Sequence, residues 1–155
     1  MQKKVLIQEL RLRLTAKFNQ LQETKAGLIE SRDSDTKSSA GDKYETGVEM
    51  IQQELERTQG QLDQVEKQKE FLNRISLTPN AVVGEGSLVL TDKASYLIGI
   101  PYGEIKLETG NVYCISSASP IGELLTGTQK DEVITFREQK TVSYTHLTLP
   151  TILLV

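Results

Sequence analysis

Residues 44–75, YETGVEMIQQELERTQGQLDQVEKQKEFLNRI, decide the fold. Apolar or tolerated side chains fall at Tyr44, Val48, Ile51, Leu55, Thr58, Leu62, Val65, Leu72 and Ile75. From Tyr44 to Val65 the steps alternate four and three without a break, which is the heptad rhythm of a helical seam. Thr58 interrupts one layer, and Lys69 occupies the place between Val65 and Leu72. Upstream, Ile7, Leu10, Leu14, Phe18, Leu21, Lys25 and Leu28 trace a similar stripe. Between the stripes, Ser31–Gly41 is a run of small and polar residues that reads as a turn. Each stripe needs the other for burial, so the two helices are expected to fold back as an antiparallel coiled-coil hairpin over residues 1–77, with its tip at about 31–43. At about 1.5 Å per residue the second helix would span about 50 Å.

Thr78-Pro79-Asn80 stops this pattern. Beyond it, the spacing predicts strands at Ser87–Thr91, Ala94–Ile100, Glu104–Glu108, Val112–Ile115 and Glu132–Phe136. Ser119–Leu125 reads as a short helix with Ser119 as its N-cap and Pro120 in its first position, ended by Gly127. The fold class is therefore α+β, with a small antiparallel-sheet domain over residues 80–141. From Val142 the chain reads VSYTHLTLPTILLV, which resembles translated sequencing-adapter read-through. Residues 142–155 are accordingly expected to be a non-native tail, the alternative being a terminal strand starting near Lys140-Thr141. His146, the one histidine, lies there and supports no acid–base or metal chemistry.

The 155 residues are 37% hydrophobic and 5% aromatic, with 18 Lys/Arg against 21 Asp/Glu, so the net charge is −3. A generic basic nucleic-acid binder is excluded, because such proteins carry surplus cations for phosphates. The single cysteine, Cys114, excludes an internal disulfide and a Cys-rich zinc site, and a buried thiol in a strand is expected for it. No apolar run is long enough to span a membrane, and the start of the chain meets charges too soon for a secretory signal. The chain is expected to be cytoplasmic. Without a histidine partner no serine makes a hydrolytic triad, and Gly84-Glu-Gly86 is neither a P-loop nor a dinucleotide fingerprint.

Asp42 and Glu45, three residues apart, share one helical face near the hairpin apex. Two carboxylates there could hold a Mg²⁺ ion together with ligands of another protein. The spacing alone favours the other reading, in which Asp-x-x-Glu is an N-cap with its capping-box acid, favoured by the helix dipole.

The layout resembles the Gre family of bacterial transcript-cleavage factors. Gly41-Asp42-Lys43-Tyr44-Glu45-Thr46-Gly47 is similar to that family's tip segment. Ser119-Pro120-Ile121-Gly122-Glu-Leu-Leu-Thr-Gly127 is similar to its Ser-Pro-(Leu/Ile)-Gly helix. Compact Gre-like proteins of the Bacteroidetes carry a similar Ala-Gly-Asp-Lys-Tyr-Glu-Thr-Gly tip. The chain departs from the Gre pattern at Tyr44, Thr46, Val48 and Glu49.

The resemblance implies an FKBP-like C-terminal domain, docked on bacterial RNA polymerase through Ser119, Pro120, Ile121 and Gly122. The hairpin would enter the secondary channel. There Asp42 and Glu45 would assist the polymerase active site by sharing its Mg²⁺, beside the backtracked RNA 3′ end. On this reading the protein is not itself an enzyme, has no cofactor of its own, contacts no membrane and is a monomer. Two other functions stay open: a channel regulator without cleavage stimulation, and a coiled-coil interaction or chaperone-like module.

Overall fold

The computed structural model describes residues 2–37, 41–78, 81–136 and 139–145, with side chains described for these except at 2, 35–37, 41–45, 135–136 and 139–145. Two long helices, α1 (Gln2–Lys37) and α2 (Gly41–Arg74), precede β1 (Leu88–Thr91), β2 (Ser95–Ile98), β3 (Gly103–Leu107), β4 (Gly110–Ile115), α3 (Pro120–Leu125), β5 (Val133–Phe136) and β6 (Gln139–Thr145). The class is α+β, as the periodicities require. The chain divides into two compact units, Leu10–Glu70 and the combination of Met1–Glu9 with Phe71–Val155.

In the first unit, Lys69 Nζ lies 5.0 Å from the centroid of the Phe18 ring, and Lys25 Nζ donates to Gln59 Oε1 at 2.7 Å. Moving up α1 from Phe18 to Lys25 thus moves the partner down α2, so the helices run antiparallel. Leu10 and Leu14 of α1 and Leu55, Leu62 and Val65 of α2 are buried on the facing stripes. Thr58 is buried with them, and its hydroxyl donates to the Glu54 carbonyl at 2.8 Å. The polar layer is therefore satisfied within its own helix. Lys69 is accommodated by the face of an aromatic ring, where its ammonium meets the negative side of the quadrupole. The segment from Ser31 to Lys37, which reads as a turn, continues α1 instead. It holds neither Pro nor Gly, and extending an existing helix costs little per residue.

In the second unit the sheet order is β3-β4-β2-β1-β6-β5. It is mixed rather than purely antiparallel, because β2 and β4 pair in parallel. The chain reverses after β2, places β3 one strand further out, and turns back as β4 into the gap. Two reversals restore the original direction. The backbone at Gly99 (φ 113°) and Gly103 (φ 104°) lies in the region that favours glycine. On one face Val89, Ile98 and Ile134 pack with Val83 and with Leu125 of α3, flanked by Tyr96, Ile115 and Ile121. On the other face Leu88, Leu97, Ile105, Val112 and Cys114 are buried, which fits a sheet covered on both sides. β6 crosses residue 142 and pairs with β1 as far as Thr145 opposite Val89. His146 and the remainder of the expected tail lie outside the described residues.

The helix ends belonging to this unit contribute to the interior. Leu6, Ile7 and Leu72 are buried, and so is Lys3, at 2% exposure. Lys3 Nζ donates to the Ser76 carbonyl at 2.6 Å, just past the end of α2. Burial disfavours its charged form and lowers its pKa from 10.5 to about 8.

Candidate functional site

The two regions singled out by sequence lie in different parts of the fold. Asp42 and Glu45 occupy the first turn of α2, which starts at Gly41. Their backbone spacing places both on one helical face near a helix N-terminus, where the dipole favours carboxylates. Their side chains lie outside the described residues. Immediately after them Thr46 and Glu49 are exposed, whereas Val48 is half-buried.

The second region, α3 and the turn before it, is described in full. Ser119 is the N-cap, extended at φ −67° and ψ 156°, and Pro120 opens the helix. The Ser119 hydroxyl accepts from the Gly122 N–H at 3.1 Å and donates to the Ser116 carbonyl at 2.7 Å. The Ser119 N–H donates to the same carbonyl at 3.1 Å. At the far end the Thr126 hydroxyl donates to the Gly122 carbonyl at 2.7 Å. A Cβ on Gly122 would sit 2.2 Å from the Ser116 oxygen. Glycine is needed here to let two backbone segments approach closely.

These contacts divide the four residues that the Gre resemblance would place in a docking element. Ser119 and Gly122 build the turn, and Ile121 packs against the core of the sheet. Pro120 is the one of the four that is exposed. Leu124, four residues on and therefore on the same helical face, is 40% exposed and was not singled out. The helical period could have found it, since Ile121 and Leu125 fix the inward side.

The turn is also held from its other side. The Ser117 hydroxyl donates to Glu85 Oε1, and Glu85 Oε2 approaches Gly99 so closely that a Cβ there would lie 2.5 Å away. The Phe71 ring, from the end of α2, closes over the same glycine, with Cζ 2.3 Å from that Cβ position. Gly99 thus receives an aromatic ring and a carboxylate at one backbone position. Nothing in the local sequence signals this convergence, because Phe71, Glu85 and Ser117 are far apart in the chain.

No helix among the described residues is long and apolar enough to cross a membrane. No protein-family model matches the chain, and no curated protein matches it. Among solved structures, one described as the transcription factor Gfh1 is similar to it, with 21% identity over 88% of this chain and 89% of that one, and a TM-score of 0.33. A likeness of that size fixes neither fold nor function.

Proposed function

We propose that the chain is a Gre-like transcription factor that binds bacterial RNA polymerase and promotes cleavage of backtracked RNA by the polymerase's own active site. The observation that carries this reading is the placement of Asp42 and Glu45 on one turn at the start of α2, directly after the break between two antiparallel helices. The capped Ser119-Pro120-Ile121-Gly122 turn supports it, since Pro120 and Leu124 leave one face of α3 outward for a docking partner.

The donor chemistry of the acid pair fits a shared Mg²⁺. Carboxylate oxygens are the hard ligands this ion takes, and two of them leave positions for water and for ligands of the polymerase. Chemistry supplied at such a site is two-metal hydrolysis, with water activation and neutralisation of charge on the scissile phosphate. Asp42 and Glu45 would hold and orient these groups at the RNA 3′ end. The chain is then an accessory factor rather than an enzyme, acting as a monomer in the cytoplasm. Its C-terminal domain, FKBP-like on this reading, serves as the docking module.

A cleavage assay on reconstituted backtracked complexes tests the proposal. The wild-type chain should shorten the RNA in a Mg²⁺-dependent manner, and Asp42→Asn with Glu45→Gln should abolish shortening while polymerase binding persists. Unchanged shortening with the double variant would falsify it. The half-buried Val48, at a place where the Gre pattern has an acid, favours a second reading in which the hairpin occupies the channel without stimulating cleavage. Binding without shortening by the wild-type chain distinguishes that case.

A further inference from the structure

On the face of the sheet that carries α3, one row of side chains crosses four strands in register. Val89 pairs with Tyr96, Tyr96 with Tyr113, and Tyr113 with Glu104. Burial falls steadily along it: Val89 is fully buried, Tyr96 is half-buried against the core, Tyr113 is 39% exposed, and Glu104 is exposed on the edge strand β3. The two tyrosine rings stand 6.0 Å apart at 35°. Asn111 Nδ2 donates to Glu104 Oε1 at 2.7 Å, which holds the carboxylate beside the outer ring and leaves Oε2 without a partner among the described residues. Lys106, two residues along the same strand, makes no ion pair with Glu104 among the described residues.

We propose that the Tyr96–Tyr113–Glu104 row is a docking site for an arginine side chain carried by a protein partner. A guanidinium is flat, so it can lie on the Tyr113 ring while its N–H groups reach the adjacent carboxylate. An ammonium cannot stack in that way and would be held less well. The surroundings match in sign: residues 80–141 carry eight acidic side chains against Lys93, Lys106, Lys130, Arg137 and Lys140. This charge excess draws basic partners towards the domain. Tyr113 and Glu104 are exposed on the sheet surface, which suits a side chain presented by a macromolecule.

The test is an amide-resolved NMR titration of the full chain with a capped Arg-Gly-Arg-Gly-Arg peptide, beside its lysine and glutamate counterparts. The arginine peptide should shift Tyr96, Tyr113, Glu104 and Asn111, the lysine peptide should bind about threefold more weakly, and the glutamate peptide should not bind. Tyr113→Leu, which keeps a strand-compatible side chain, and Glu104→Gln should each weaken arginine binding about three- to tenfold. Tyr113→Phe keeps the ring and should retain binding. Shifts centred elsewhere, or a remote change such as Glu132→Gln weakening binding as much as Glu104→Gln, would overturn the proposal.

Discussion

The Ser116 carbonyl oxygen lies where a side chain on Gly122 would have to go, 2.2 Å from the Cβ position. Backbone presses on backbone there, so neither side can yield by rotating. Gly122→Ala should cost about 1–3 kcal/mol of stability, the usual range for overpacking. Gly84→Ala, with nothing within 4 Å of its Cβ position, is the control and should stay within about 0.5 kcal/mol. Ser119→Ala removes the cap and should cost about 1 kcal/mol. Urea denaturation of the three variants measures all of this.

Lys3 gives the stability a recognisable pH dependence. Its folded pKa of about 8 lies below the unfolded value of 10.5. Between these values the unfolded chain binds more protons, so stability rises with pH across the window. Below about pH 8 both states are protonated, and the full penalty of burying the charge is present. The penalty is of the order of 3 kcal/mol, at 1.36 kcal/mol per pH unit. Lys3→Met should therefore be more stable than wild type at pH 7, and the difference should shrink by pH 10.5. A constant difference over that range contradicts the assignment.

Thr58 is a buried polar layer between the buried Leu55 and Leu62 of the seam, and the carbonyl it bonds lies in its own helix. Thr58→Val keeps the shape and removes the hydroxyl. It should raise stability by at most about 1 kcal/mol, since a threonine that bonds back to the carbonyl four residues earlier slightly destabilises its helix, and valine puts a methyl in the seam instead. A fall in melting temperature would show that this hydroxyl does more than satisfy itself.

Gly27 and Gly60 sit inside α1 and α2 with open space around each Cβ position. An alanine would meet nothing, and the chain would lose less backbone entropy on folding. Each Gly→Ala change should add about 0.5–1 kcal/mol, seen as a higher melting temperature by circular dichroism. If the doubly stabilised hairpin also loses its effect on polymerase while still binding it, bending at these positions is part of function.

The seam was legible because a heptad records burial directly: Leu55, Leu62 and Val65 had to face a partner. The α3 cap was legible because Ser-Pro before an apolar run has few other uses, and Ser119 does cap. The parallel pairing of β2 with β4 was not, since strand order depends on contacts far apart in the chain and leaves no mark in the alternation. Lys3 was missed for a related reason. A lysine near a terminus reads as solvated, and its burial is decided by what folds over it. The acid pair was legible as a position on a helix, while its chemistry depends on groups that another protein would bring. The Tyr96–Tyr113 row was invisible until parallel register brought the two tyrosines side by side.

The central claim is that the turn carrying Asp42 and Glu45 reaches the reacting phosphate inside polymerase. Photo-crosslinking tests it most directly, with a benzophenone side chain at position 43, between the two acids, in a complex carrying radiolabelled backtracked RNA. The account predicts crosslinks to the RNA 3′ end and to polymerase residues around its catalytic Mg²⁺, competed by excess unmodified chain. Crosslinks confined to the outer surface of polymerase, with none to RNA, would contradict it.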